Sequence, residues 1–271
     1  MSQDMSTVSQ SPACHDRPHV VHWYDPSKSD LEASVAAFLH GGIERGCRAI
    51  VVARPEHERG IVAALEALGA DPKRLRTDGG LRSLDAADAL ATFMVDGYPD
   101  ETRFDATIGA FAREALEGTP GDGLVVFGEM VGLLWQSGQF PAAIRLEQLW
   151  NRLTKVLPID LYCAYPVDVF DAQFDGGIID GLLCAHTAVV PARDNDRLLR
   201  AVRHATKAVL GADIELIGPL YCRDSGTGRA PLPRGEEAIL WLRDQLPSRA
   251  EEILALAAAY YRSPHRNGSA A

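Results

Sequence analysis

Short apolar segments alternate with amphipathic helical segments along most of this chain, and that alternation constrains its fold more than any other feature. Two apolar segments, 48–53 and 123–127, are almost continuously hydrophobic, as strands buried on both faces are. Further strands are predicted at 19–24, 75–78 and 159–165. Because strands that alternate with helices form βαβ units, the sequence predicts an α/β fold. Its sheet is expected to be mostly parallel, with helices on both faces.

The helical segments are recognised by apolar residues at helical spacing and by capping residues at their starts. They are predicted at 30–40, 56–68, 84–95, 104–116, 130–135 and 141–156, with short pieces at 167–171 and 178–186. Beyond Pro191 the strand pattern fades, and helices are predicted at 195–210 and 233–261. We therefore expect four parts: a disordered tail (1–18), an α/β domain (19–191), a helical C-terminal extension (192–262) and a second disordered tail (263–271).

Composition and charge exclude several classes of protein. Among the 271 residues, 46% are hydrophobic and 24% are charged, which is typical of a folded globular protein. The net charge of -10 argues against nucleic acid or an anionic membrane as a partner, since phosphate surfaces require clustered Lys and Arg. No apolar stretch reaches the length of a bilayer span, and the polar N-terminus does not resemble a secretory signal. With five scattered cysteines, we expect free thiols and a cytoplasmic location.

Polar and aromatic residues cluster where the predicted strands end, which is where open α/β sheets bind ligands. His22 and Tyr24 close the first strand, Glu129 follows the middle one, and Tyr165 closes a later one beside Cys163. We expect these side chains to converge on one crevice if their strands are neighbours. Trp135 would add an apolar wall, since ligand pockets are mostly hydrophobic. The alternative is that each is a strand-end residue satisfied by local hydrogen bonds.

The loop at 22–29 lies where a phosphate-binding loop would lie. In the pattern G-x-x-x-x-G-K-[S/T], Lys28 and Ser29 fill the last two positions, but His22 and Ser27 replace both glycines. Those glycines let backbone N–H groups face the phosphates, so a tight triphosphate site is not expected. Weak binding of ATP and magnesium through Lys28 and Ser29 is kept as the alternative function.

No strong metal or catalytic motif is present. Cys163, Cys184 and His186 supply only three zinc ligands, without a CxxC knuckle. A nucleophile elbow, an HExxH helix and a GxGxxG loop after a strand are all missing from the sequence. We therefore predict a protein that is not an enzyme and uses no metal or cofactor. A redox or metal switch at these three residues is the least favoured hypothesis.

Several segments together resemble a known family, the MEDS domain (methanogen/methylotroph, DcmR sensory domain), over about residues 19–191. The segments keep their order and spacing: HWY (22–24), FLHGGIERG (38–46), RPEH (54–57), FGEMV (127–131), LLW (133–135), RLEQLWN (145–151), LYCAYP (161–166) and CAH (184–186). The resemblance implies a sensory domain related to the RecA/KaiC ATPase fold, with a degenerate P-loop. It also implies small organic ligands, including hydrocarbon derivatives, and output to transcription or to kinases.

Carried onto this chain, the patterned residues of that family are six, which we take as the candidate ligand site: His22, Tyr24, Glu129, Trp135, Tyr165 and His186. The chain departs from the signalling architectures because it has no helix-turn-helix, kinase or receiver motif. We therefore expect a regulatory partner protein to read the ligand-bound state. A homodimer and a pure interaction module that binds through the C-terminal helices are left open.

Overall fold

The computed structural model describes residues 17–25, 31–117, 123–191, 194–211 and 230–263. Its α/β part contains the helices α1 (Leu31–Glu44), α2 (Pro55–Ala67), α3 (Pro72–Thr77), α4 (Ala86–Phe93), α5 (Glu101–Phe104), α6 (Ala110–Leu116), α7 (Met130–Gln136), α8 (Phe140–Val156) and α9 (Gly176–Leu183). A π-helical segment, Asp105–Gly109, joins α5 to α6. Three more helices follow: α10 (Asn195–Leu210), α11 (Arg234–Gln245) and α12 (Pro247–Arg262).

Six parallel strands form the central sheet. They are β1 (His19–Tyr24), β2 (Arg48–Ala53), β3 (Leu81–Asp85), β6 (Leu124–Gly128), β7 (Ile159–Pro166) and β8 (Ala188–Val190), in the order β3-β2-β6-β7-β1-β8. A small antiparallel hairpin, β4 (Met94–Val95) with β5 (Tyr98–Pro99), stands apart from it. The predicted α/β class, with a parallel sheet and additional C-terminal helices, is confirmed.

Helices cover both faces of the sheet, and each face has its own core. On one side, which we call the α1 face, α1 and α2 pack over Val51, Phe127 and Tyr162. On the other, which we call the α8 face, α4, α7, α8 and α9 pack over Val126 and Cys163. Because successive side chains of a strand point to opposite faces, each strand contributes to both cores. The strands are therefore apolar almost throughout, as the sequence suggested.

Several predicted elements differ from the structure. The prediction of a strand at 75–78 was wrong: residues 75–77 belong to α3 and Asp78 caps its end. The helix forms because Asp71 caps its start by accepting from the Arg74 N–H and Pro72 begins it. The strand comes after the turn, as β3, and it takes the first residues of the helix predicted at 84–95. The short helix predicted at 167–171 is absent from this described segment, which forms turns instead.

The C-terminal helices pack together and share the core of the α8 face. Leu198 of α10, Leu242 of α11 and Ile253 of α12 are fully buried in that core. The single helix predicted at 233–261 is two helices, because Pro247 starts a new one. None of the described helices combines the length and the apolar composition needed to cross a bilayer.

Candidate functional site

The structure divides the six candidate residues between the two faces of the sheet. His22, Tyr24 and Glu129 lie with residues of the α1 face, whereas Tyr165 and Trp135 belong to the core of the α8 face. His186 also lies on that second side, against Glu147 of α8. The expectation of one crevice is thus corrected. Its physical cause is the strand register: His22 pairs with Ala164, so Tyr165 is opposite Trp23 and points the other way.

Glu129 and Arg54 occupy a topological switch point of the sheet. The neighbouring strands β2 and β6 end side by side, but the chain leaves β2 for α2 on the α1 face and leaves β6 for α7 on the α8 face. A crevice opens outside the carboxyl ends of two strands whose connections diverge in this way, and open α/β sheets bind their ligands there. Arg54 is the first residue after β2, and Glu129 is the first after β6.

The Glu129 carboxylate holds this point together. Its Oε2 accepts the backbone N–H of Arg54 at 2.8 Å, and its Oε1 accepts Arg54 Nε at 2.6 Å and His57 Nδ1 at 2.8 Å. Burial alone would raise the pKa of Glu129, but the hydrogen bonds from His57 and the Arg54 N–H lower it overall. The same hydrogen bond raises the pKa of His57, against the opposing effect of burial. Both shifts favour the charged form of each group, as the attraction between an imidazolium and a carboxylate does.

Tyr24 brings a polar group without a partner to the same place. Its ring makes an edge contact with His57, at 6.2 Å between centroids, and its hydroxyl is buried with no hydrogen-bond partner among the described residues. The Arg54 guanidinium lies beside the hydroxyl without hydrogen-bond geometry. Burial and the nearby Glu129 charge raise the pKa of Tyr24, so the hydroxyl stays protonated and remains a donor.

His22 is buried and contacts Tyr162, so its side chain is not exposed at the carboxyl ends of the strands. Its Nδ1 lies 2.8 Å from the Tyr162 hydroxyl, and both side chains are buried. His22 also approaches Tyr24, at 6.1 Å between ring centroids. We call Tyr24, Arg54, His57 and Glu129 the switch-point cluster, and His22 supports it from within the sheet.

On the α8 face the remaining candidates form a second, deeper group. Trp135 packs edge-on against the ring of Tyr165, at 5.3 Å between centroids. The Tyr165 hydroxyl donates to Glu147, whose other neighbours are His186, His19 and Cys163. Burial alone would raise the pKa of Glu147, but His186 and His19 hold it well below its usual range. All of these side chains are buried in the core.

Sequence reasoning found parts of both groups and missed the partners that complete them. The side chains of His19, Glu147, Cys163 and His186 each offer one ligand atom, and these atoms lie within 4.8 Å of one another. Cys184, which the sequence suggested as a ligand, is exposed at the end of α9. The signals for the missed partners were weak: His57 and Glu147 each lie in a helix, where a lone polar residue is unremarkable. Lys28 and Ser29, the proposed nucleotide residues, lie outside the described residues.

A cleft of about 340 Å³ separates the segment after β7 from the C-terminal helices. Phe170 and Leu254 line its apolar part, and Arg243 donates to the Phe170 and Asp171 carbonyls, each at 2.9 Å. A salt bridge joins Arg262 of α12 to Asp168 across it. The C-terminal helices are thus bound to the loop that begins at the carboxyl end of β7.

Comparison with known proteins finds one family model that covers most of the α/β part of the chain. The family model that matches the chain is described as the methanogen/methylotroph, DcmR sensory domain, and it covers residues 18–187. No curated protein matches the sequence significantly. The matched range begins just before β1 and ends just before β8, and it contains both the switch-point cluster and the deeper group. Because the match extends over more than half of the chain, this protein belongs to the MEDS family of sensory domains.

Proposed function

We propose that this chain is a cytoplasmic, non-enzymatic sensor that binds a small organic ligand at the switch-point cluster and signals to a regulatory partner protein. One observation carries the proposal: the buried Tyr24 hydroxyl, without a partner among the described residues, adjoins Arg54 and Glu129 at the strand-end switch point. A buried donor of this kind costs free energy until an acceptor reaches it. A ligand that accepts from this hydroxyl would remove that cost, and ligand binding is in keeping with membership of a sensory family.

We infer the chemistry of the ligand from the groups that the cluster offers. Tyr24 offers a hydroxyl donor, and Arg54, whose side chain is 28% exposed, offers a cationic edge. A small molecule with an oxygen or halogen acceptor and a short apolar body fits this pair, since the rings of Tyr24 and His57 form the adjacent wall. Trp135 does not serve as the wall of this site, because it lies on the α8 face.

Binding can be transmitted because Glu129 connects two helices. Arg54 precedes α2 and Glu129 precedes α7, so a ligand that competes for Arg54 loosens the tie between them. Such a ligand shifts a conformational equilibrium only by its differential affinity for the two states. The loop after β7, which Arg243 and Arg262 join to the C-terminal helices, would carry the change to a partner in transcriptional or kinase regulation.

A thermal-shift screen of the full-length chain tests the binding step, with small organic metabolites and halogenated hydrocarbons as probes. A ligand at a hundred times its dissociation constant adds about 2.7 kcal/mol of stability. We expect one compound class to raise the melting temperature of the wild type, and Tyr24→Phe and Glu129→Gln to reduce that rise. Tyr24→Phe removes no hydrogen bond of the described structure, so the variant should fold at least as stably as the wild type.

Tyr260→Phe is the matched control, since Tyr260 is exposed on α12, and it should respond like the wild type. A ligand response that persists in Tyr24→Phe and in Glu129→Gln would contradict the proposed site. ATP with magnesium belongs in the same screen: a shift that Lys28→Ala abolishes would favour the nucleotide-binding function. The ligand-dependent capture of a partner, and sedimentation with and without ligand, then test the signalling step and the homodimer.

A further inference from the structure

Four ligand-type side chains meet inside the protein, at a place separate from the switch-point cluster. They come from four different segments: His19 from β1, Glu147 from α8, Cys163 from β7, and His186 from the turn after α9. The exposed fraction of each residue is between 0% and 3%. Their ligand atoms all lie within 4.8 Å of one another. Side chains of this type converge on a buried point either as a hydrogen-bonded network or around a metal ion.

The orientation of the histidines distinguishes these two cases. His186 Nδ1 lies 2.7 Å from the Leu182 carbonyl oxygen, which can only accept, so Nδ1 carries the proton. In the neutral ring, Nε2 therefore presents a lone pair. It lies 3.4 Å from Glu147 Oε1 without hydrogen-bond geometry and has no hydrogen-bond partner among the described residues. Two acceptors thus face each other in the core.

His19 repeats this arrangement on the other side of the carboxylate. Its Nδ1 lies 2.9 Å from Asn151 Oδ1, and its Nε2 points at Glu147 Oε2, 3.2 Å away. Metal-binding histidines characteristically donate their second ring N–H to a carbonyl or carboxylate, which fixes the ring and its tautomer. Both histidines of this cluster have such an acceptor, and both direct the opposite nitrogen to the Glu147 carboxylate, one to each oxygen.

A network of protons alone would satisfy the cluster poorly. The Tyr165 hydroxyl and the Cys163 thiol donate to Glu147, but His186 Nε2 is left without a hydrogen-bond partner among the described residues. For both histidines to donate to Glu147 as well, both would have to be imidazolium cations, with ring centroids 4.1 Å apart in the buried core. Desolvation disfavours each charged ring, and like charges at this distance repel. One divalent cation between the four groups would accept the lone pairs of both neutral imidazoles and of the carboxylate at once.

We propose that His19, Glu147, Cys163 and His186 together bind one Zn²⁺ ion. Zinc–ligand bonds of about 2.0–2.3 Å give a tetrahedron with edges of about 3.3–3.6 Å. Three of its six edges agree: 3.2 Å from His19 Nε2 to Glu147 Oε2, 3.4 Å from His19 Nε2 to Cys163 Sγ, and 3.5 Å from Cys163 Sγ to Glu147 Oε2. His186 Nε2 lies 3.4 Å from the other carboxylate oxygen, Glu147 Oε1, and the four residues offer ligand atoms within 4.8 Å of one another.

The ligand set selects zinc over other common ions. A thiolate and two imidazoles are soft or borderline ligands, which magnesium and calcium do not prefer. On binding, the Cys163 thiol loses its proton to solvent as the zinc–sulfur bond forms. The thiolate and the Glu147 carboxylate then balance the two charges of the ion, so the buried site is electrically neutral. Four protein ligands leave no open position, as in structural zinc sites.

The proposed ion would join the edge of the sheet to its centre. His186 is followed by β8, which pairs with β1 over only three residues, while Cys163 lies in the central strand β7. Such a short edge strand has little stability of its own. We therefore assign the ion the role of fixing β8 and the end of α9 against β1, β7 and α8.

Metal analysis of the full-length chain, purified without an affinity tag, tests the proposal. We expect about one zinc per chain. Cys163→Ser and His186→Gln should bind zinc at least about tenfold more weakly than the wild type. The matched controls are Cys47→Ser, at a buried thiol outside the cluster, and Cys184→Ser, at an exposed thiol two residues from His186. Both controls should keep the metal content of the wild type.

Cobalt substitution keeps the test valid if a variant fails to fold. The wild type, treated with a chelator and reloaded with Co²⁺, should show tetrahedral d–d bands and a thiolate-to-cobalt charge-transfer band. Zn²⁺ should displace the cobalt and raise the melting temperature of the metal-free protein. Folded wild type that binds neither ion after reconstitution, or a charge-transfer band that survives Cys163→Ser, would overturn the proposal. Stoichiometric iron or nickel in the purified protein would overturn the assignment to zinc.

Discussion

At the scale of single residues, the contact between Glu129 and His57 makes stability depend on pH. His57 Nδ1 donates to Glu129 at 2.8 Å, and this bond raises the pKa of His57 in the folded protein. A raised histidine pKa adds stability that is complete below the unfolded value of about 6.5 and is lost as the pH rises through the folded value. The contribution of Glu129 to stability has the opposite pH dependence. It is present above the carboxyl pKa of the unfolded chain and is lost as the pH falls through the lowered pKa of the folded protein.

We therefore predict that His57→Asn flattens the pH dependence of the unfolding free energy above the unfolded histidine pKa of about 6.5. The asparagine amide can still donate near the position of Nδ1, but it does not titrate. The variant should therefore not lose the stability that the wild type loses as the pH rises. Urea unfolding at several pH values measures this slope. Equal slopes for the wild type and His57→Asn would show that the hydrogen bond does not shift the titration of His57.

Part of the switch-point cluster could be predicted from the sequence, and the reason is local. Tyr24 and Glu129 each stand at the end of an apolar run, and strand ends are where α/β sheets bind ligands. Arg54 precedes α2 and His57 lies in its first turn, so neither stands at the end of an apolar run, and they entered only within the family segment RPEH (54–57). The division between two faces could not be predicted, because it depends on the register that places His22 beside Ala164. Register is a property of paired strands, and a single apolar run does not specify it.

At the scale of elements, the predictable strands were those whose residues are apolar on both faces. β2 and β6 are central and nearly continuous in the sequence, whereas β8 has three partly buried residues at the sheet edge and could not be predicted. The segment that forms α3 has a weak strand pattern, although Asp71 and Pro72 carry a helix-start signal. Propensity within a short window therefore gave the wrong element where capping chemistry would have given the right one.

Close approach of α7 to β7 yields a second prediction. A Cβ atom at Gly132 would lie 2.7 Å from the Ala164 carbonyl oxygen and 3.2 Å from Pro166 Cδ. Backbone of a central strand cannot retreat, so Gly132→Ala should lower the unfolding free energy by about 1–3 kcal/mol, as overpacking does. Chemical denaturation measures the change. Because α7 starts directly after Glu129, the same variant should also weaken any ligand response at the switch point.

Gly181 in α9 provides the control for this packing argument. A Cβ atom there would lie 3.5 Å from Ile144 Cδ1, which is an ordinary van der Waals contact. Gly181→Ala should therefore leave stability unchanged or raise it by up to about 1 kcal/mol, through the better helix propensity of alanine. Similar losses in both variants would mean that helix geometry, and not the contact with the Ala164 carbonyl, limits substitution at Gly132.

At the scale of the whole molecule, the C-terminal helices are part of the same hydrophobic core as the sheet. The apolar sides of α11 and α12 are turned inward, with Leu242 and Ile253 fully buried beside residues of α7, α8 and α9. Arg243 and Arg262 add polar contacts to the loop after β7. A partner that reads these helices would therefore contact their outer surface, and a change at the strand ends would reach that surface through a continuous core.

This shared core predicts that the described parts of the chain unfold as one cooperative unit. Native-state hydrogen exchange should give the slowest amides of β6 and of α12 the same free energy of opening. Leu242→Ala should lower both values together by about 2–5 kcal/mol, because it leaves a cavity in a core common to both. If only the amides of α10, α11 and α12 lost protection, the helices would be a separate folding unit. The change at the strand ends would then have to reach a partner through the loop after β7 alone.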